Sequence, residues 1–122
     1  MASQWLYVAA GGAIGAILRF YVGQTMSNQS FPAGTLTVNL VGSFLLGALM
    51  MALSQSFVSQ STVLFVGVGI LGAFTTMSTF SVEMFTLLQA NEVKQAASYY
   101  LITIIACPIL AWLGWKSISL FA

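Results

Sequence analysis

Between Arg19 and Glu83 the chain carries no charged side chain, an uninterrupted stretch of 63 residues (20 through 82). No soluble domain solvates a surface built from such a sequence. The remaining charges are few: Glu92, Lys94 and Lys116 complete a set of five in 122 residues. That is 4% charged, against about 25% in an ordinary soluble domain. Disordered chains need high charge and low hydrophobicity, and nucleic-acid binders need basic patches. Both are excluded, and an integral membrane protein remains.

The arithmetic sets the number of crossings. A helix spanning about 30 Å of hydrocarbon needs roughly 20 apolar residues. Four such helices fit in 122 residues with short loops. Five would leave almost nothing over. A membrane barrel would show short segments of alternating polarity, and the runs here are long and continuous. We therefore expect an all-α membrane protein, one four-helix unit over residues 1–122. The expected spans are about 4–24, 33–53, 63–88 and 95–115. The first lacks a charged leader region and a small-residue cleavage site, so it is expected to be retained as a span. Ser27-Asn28-Gln29-Ser30-Phe31-Pro32 reads as a loop. Trp5, Tyr7, Tyr21, Trp112 and Trp115 fall near span ends, where amphipathic rings favour the headgroup level.

Orientation is weakly encoded. Arg19 and Lys94 fall toward one side and Lys116 toward the other, a small positive-inside bias. Two readings follow: insertion in both orientations with an antiparallel homodimer, or one orientation set by a partner or by lipid.

With so few charges, chemistry must reside in glycines, hydroxyls, amides and rings. Gly11 and Gly15, with Gly12 and Ala16, offer a smooth face for close helix approach, as do Gly42 and Gly47. Arg19 is the one charge in the first span. It is either an interfacial anchor or an attractor of anions. Thr35, Asn39 and Ser43 recur every four residues on one helical face. They serve either to bond helix to helix or to donate to a small anion. Tyr99, Thr103 and Cys107 repeat in the same way on the last span, where Pro108 is expected to kink the helix.

The third span is the most informative. Gly67, Gly69 and Gly72 precede a polar block, Thr75-Thr76-Met77-Ser78-Thr79. So dense a run of hydroxyls after glycine predicts a helix broken at mid-membrane. Such backbone is tolerated only inside protein or beside water. Freed carbonyls suit a cation and half-helix N-termini suit an anion. Thr79 and Glu83 are spaced by four, Ser78 and Ser81 by three, giving a hydroxyl track that leads to a carboxylate. The alternative is an ordinary Ser/Thr-rich helix bonding its own carbonyls.

Taken together, Gly11-Gly12-x-x-Gly15-x-x-x-Arg19, Gly34-Thr35-x-x-x-Asn39-x-x-Gly42 and Gly72-x-x-Thr75-Thr76-x-Ser78-Thr79-Phe80-Ser81-x-Glu83 resemble the Fluc (CrcB-type) fluoride channels along the whole chain. The resemblance implies an antiparallel dual-topology homodimer in the cell (inner) membrane that exports fluoride through two pores. It implies a structural sodium ion at the dimer centre, held by backbone carbonyls matching Gly72 and Thr75. It places Asn39 as a fluoride donor, Phe80 as an edge-on ring contact and Arg19 in a vestibule. Ser78, Thr79, Ser81 and Glu83, with Thr103 and Cys107, match the polar track. Phe80 matches the second of the family's paired phenylalanines, and Met77 stands where the family commonly has the first. No nucleic acid is expected as a partner.

Other classes fit less well. A small multidrug exporter needs a carboxylate in its first span, and Glu83 lies late in the third. An accessory subunit has no use for a polar block at mid-membrane. An enzyme is not expected: the chain has no histidine, and no nucleophile–base pair or ligand cluster is visible.

Overall fold

The computed structural model describes residues 2–26 and 30–122. Of the expected first loop, Ser27, Asn28 and Gln29 lie outside the described residues. The chain is helical almost throughout. Helix α1 is Ala2–Met26, α2 is Ala33–Ser54, α3 covers 60–74, α4 is Met77–Gln89 and α5 is Val93–Ser119. Four segments are long and apolar enough to cross a membrane, the third being the composite Gln60–Gln89. The expected four crossings and the interrupted third are thus both present, and the chain is a multi-pass membrane protein.

Helix ends follow local chemistry. Ser59 caps α3, its hydroxyl accepting the Thr62 amide at 3.2 Å. Ser56 (φ 61°) and Asn91 (φ 60°) take the left-handed conformation just beyond α2 and α4. The next amides, Phe57 and Glu92, reach back to the carbonyls of Ala52 and Leu87 at 2.8 and 2.9 Å. These are Schellman closures, which satisfy the last carbonyls of a helix. Helix α5 continues through Pro108, which lacks the amide that would bond Ile104.

Two helix pairs make the fold: α1 on α3 and α2 on α5. Both rest on backbone contact at glycine. A Cβ on Gly11 would overlap the Phe65 carbonyl oxygen, and one on Gly15 that of Ile70. In the other pair, a Cβ on Gly47 would overlap the Ala111 carbonyl oxygen, and one on Gly114 that of Phe44. Lipid gives helices little hydrophobic reason to associate, so close van der Waals approach at small residues must hold them. Gly12 faces open space instead and takes no part in the seam.

Helix α3 is unusual inside. Val63–Leu71 is π-helical, a form usually confined to single turns and often found beside functional sites. Its last bond runs from the Gly72 amide to the Gly67 carbonyl. The segment packs against the α1 glycines just before the chain reaches its break.

A small aromatic core ties α4 to α5. Tyr99 is fully buried. Its ring lies edge-on to Phe80, with centroids 4.9 Å apart, and to Phe31 at 5.6 Å, both favourable geometries. Much of the outer surface is apolar, including Trp5, Ile17, Phe20 and Phe85, as a lipid-facing surface requires.

Candidate functional site

The break between α3 and α4 organises the site. Thr75 (φ −89°, ψ 155°) and Thr76 (φ −152°, ψ 122°) are extended. Three side chains redirect the backbone bonds a continuous helix would make. The Thr76 amide would bond the Gly72 carbonyl, but donates to Asn39 Oδ1 at 2.8 Å. The Thr79 amide would bond the Thr75 carbonyl, but donates to Thr76 Oγ1 at 3.2 Å. The Ala73 carbonyl would serve Met77, but accepts from Arg19 Nε at 2.9 Å. Asn39 Nδ2 completes the closure by donating to the Thr76 carbonyl at 3.1 Å.

The break therefore results from competition that the side chains win. Thr76 is an N-cap, the role threonine fills well. Asn39 presents one acceptor to the Thr76 amide and one donor to the Thr76 carbonyl, bridging the two peptide groups that flank one residue, a pairing to which a side-chain amide is suited. Arg19 places its cation at the C-terminal end of α3, where the helix dipole favours it. Of its two sequence readings, the structure adds a third: α1 is bonded to the break itself. The carbonyls of Gly72 and Thr75 are left without their helical partners.

Two cavities flank the break. One, of about 240 Å³, is lined by Arg19, Thr35, Thr76, Thr79 and Glu83, with Phe20 and Val38 among its apolar walls. The other, of about 260 Å³, is lined by Asn39, Ser43, Thr75, Thr76, Thr103 and Cys107, with Met77 at its edge. Thr103 is buried, and its hydroxyl has no hydrogen-bond partner. Buried hydroxyls are nearly always bonded; this one is an exception, its oxygen closed off although the residue borders the cavity. Ser43 bonds the Asn39 carbonyl at 2.7 Å.

The sequence-derived residues separate by face. Thr79 and Glu83 meet Arg19 in the first cavity. Asn39, Met77, Thr103 and Cys107 meet in the second. Ser78 and Ser81 are exposed on the outer face of α4, Ser81 bonding the Met77 carbonyl at 2.9 Å. Phe80 lies in the aromatic core, 4% exposed, while Met77 is 65% exposed. Gly72 is exposed at the surface of α3.

Tyr99 has a role that its place in the sequence does not announce. Its hydroxyl donates to Glu83 Oε1 at 2.9 Å. One residue thus orients both the Phe80 ring and the carboxyl of the first cavity. Its four-residue spacing with Thr103 and Cys107 was the available signal, but the partner on α4 was not readable.

The freed carbonyls are hard oxygen donors of the kind that hold sodium in broken membrane helices. By donor chemistry, the carbonyls of Gly72 and Thr75 are of that kind. Among the described residues no cluster of three or more His, Cys, Asp or Glu could hold a metal.

Sequence comparison with known proteins shows the family. Residues 6–115 match the family model described as CrcB-like protein, Camphor Resistance (CrcB). A protein of Moorella thermoacetica named fluoride-specific ion channel FluC 2 is 44% identical over 114 residues, covering 91% of this chain and 93% of that protein. The fluoride-specific ion channel FluC of Idiomarina loihiensis is 50% identical over 103 residues, covering 82% and 80%. That of Shewanella amazonensis is 43% identical over 112 residues, covering 89% and 90%. With four membrane-crossing segments, an interrupted third and similarity across nearly its full length, the chain belongs to the CrcB-like family.

Proposed function

We infer that the chain is a fluoride-selective channel, not an enzyme, letting toxic fluoride leave the cell passively across the cell (inner) membrane. The observation that carries this reading is the break: a capped half-helix N-terminus at mid-membrane, with polar cavities on both sides. Half-helix N-termini favour anions. Fluoride is small and holds its water tightly, so a narrow path must replace that water with donors. Thr79, Thr103 and Asn39's second amide hydrogen are donors of that kind, and the positive edge of the Phe80 ring is another. Number and placement of donors in a narrow pore are a general basis of selectivity. Met77 fills the first aromatic position, Phe80 being the second, with a polarizable, adaptable side chain. Arg19 gathers the anion beside Glu83.

The working unit we propose is an antiparallel homodimer with two pores. Ser78, Ser81 and Gly72 are exposed near the middle of the span, where polar groups facing lipid are costly. A second copy laid across the break covers them and closes the second cavity. Near-balanced placement of Arg19 and Lys94 against Lys116 permits both orientations. Gly72 and Thr75 carbonyls from both copies would hold the sodium ion. When bound, that ion supplies positive charge offsetting anion burial.

The reading is tested on purified protein in liposomes with a fluoride electrode. Fluoride should leave the vesicles while chloride is retained. Equal release of both, or none of fluoride, refutes it. A multidrug-type exchanger is disfavoured by α1, which has no carboxyl.

Tyr99 gives a narrower test. Tyr99→Phe keeps the ring contacts and removes the bond to Glu83, a loss of about 1 kcal/mol. Fluoride efflux should fall about fivefold by that measure, with the dimer intact on size exclusion. Unchanged flux would restrict Tyr99 to packing.

A further inference from the structure

The cavities share walls. Thr76 borders both cavities flanking the break. Ser43, Leu46 and Cys107 border both the Thr103 cavity and a larger open groove between α2 and α5, of about 990 Å³. That groove runs from Cys107 past Ala111 to Lys116 and Ser119. The sequence of spaces therefore starts at Arg19 and ends at Lys116, with a cation at each end. Midway stands Thr103, a buried residue whose hydroxyl oxygen is itself inaccessible and without a hydrogen-bond partner. Lys116 lies in the last turn of α5, its Nζ 6.0 Å from the Trp112 ring centroid. The two tryptophans of the groove, Trp112 and Trp115, have rings suited to the membrane–water interface.

We propose that this groove is the second mouth of the anion path and that Lys116 is the charge that draws anions into it. The proposal rests on the channel reading above. Symmetry of function supports it: a passive path serves both directions, so each end needs a means of raising local anion concentration. The order of the lining is also right. Lys116 stands at the outer end and Cys107 with Ser43 at the inner, an apolar wall that includes Leu46, Met50, Ala111 and Trp112 lying between them; Thr103 and Asn39 follow beside the break. The groove is open along one side, which a second copy of this chain would wall.

Cys107, the chain's single cysteine, reports on the mouth without reference to fluoride. It sits nine residues before Lys116 on α5, roughly 13 Å along the helix. The probes are two methanethiosulfonates, sulfonatoethyl (anionic) and trimethylammonioethyl (cationic). The thiolate attacks the sulfenyl sulfur, a mixed disulfide forms and methanesulfinate leaves, the thiol proton passing to solvent. Full-length protein in nanodiscs is labelled at low salt and followed by intact mass.

The anionic reagent should add once per chain. Its rate should drop roughly two- to tenfold in Lys116→Gln, the range between bulk water and a protein surface, while that of the cationic reagent rises by a similar factor. Lys116→Arg should retain it, and 1 M salt, with a screening length of about 3 Å, should erase the difference. Labelled protein moved to liposomes should lose fluoride efflux. Labelling only after unfolding in detergent overturns the proposal, since lipid or a partner then fills the groove. An unchanged rate ratio in Lys116→Gln overturns the role of Lys116. If unlabelled protein releases fluoride but Cys107 stays unreactive, the mouth fails and the channel reading stands. If labelling follows the prediction but unlabelled protein passes no fluoride, the charged mouth stands and the fluoride reading fails.

Discussion

Asn39→Leu is expected to abolish fluoride efflux and to destabilise the protein by about 3 kcal/mol. Leucine fills similar space but bonds nothing. The Thr76 amide and carbonyl, now held at 2.8 and 3.1 Å, lose both partners. Each unsatisfied buried group costs about 1–3 kcal/mol, and no water is at hand in hydrocarbon to repair the loss. The chain's remedy is to return the Thr76 amide to the Gly72 carbonyl and grow α3 toward α4. That remedy erases the capped N-terminus on which the anion path depends. Liposome efflux and thermal melting in detergent measure the two effects. Flux retained with lowered stability would leave Asn39 as a fastener only. If neither changes, the break is held by something else.

The second large effect concerns the α2–α5 seam. Gly114→Ala places a methyl group where the Phe44 carbonyl oxygen now lies, and Gly47→Ala does the same at Ala111. Neither obstacle is a flexible side-chain end, so the helices must separate. Overpacking costs about 1–3 kcal/mol even against movable neighbours, and backbone yields least. Each substitution is expected to cost about 3 kcal/mol, at the top of that range. Separation also widens the spaces bordered by both helices, so the surviving protein should admit chloride. The check is the fluoride-to-chloride efflux ratio, alongside yield of monodisperse protein. A Gly114→Ala variant with wild-type melting and selectivity would contradict the seam as described.

Much of this was legible in the sequence, for physical reasons. A charge-free stretch has one stable environment, and helix length against bilayer thickness leaves room for four crossings. The break was legible because Thr75, Thr76, Ser78 and Thr79 compete with backbone bonding wherever they cluster. Gly11 and Gly15 announced a close seam by spacing. Other features were hidden. The π-helix of Val63–Leu71 has no periodicity distinct enough to separate it from an α-helix over nine residues. Arg19 bonds a backbone carbonyl, which leaves no trace in side-chain identity. The Tyr99–Glu83 bond joins helices on either side of a turn, a matter of packing rather than spacing. The track read as one on α4 divides in two: Thr79 and Glu83 share a face, while Ser78 and Ser81 share another. Helical geometry separates consecutive residues by about a quarter turn or more, so a run in sequence is not a line in space.

The break has a further consequence. It is fastened from α1 by Arg19, from α2 by Asn39 and from within by Thr76. A joint tied to three supports has no free axis about which to swing. Any swing at this stretch of backbone would have to break those bonds together. Three separate helices thus share in setting one short stretch of backbone, so a substitution on α1 or α2 that touches no part of α4 should still shift where that half-helix begins.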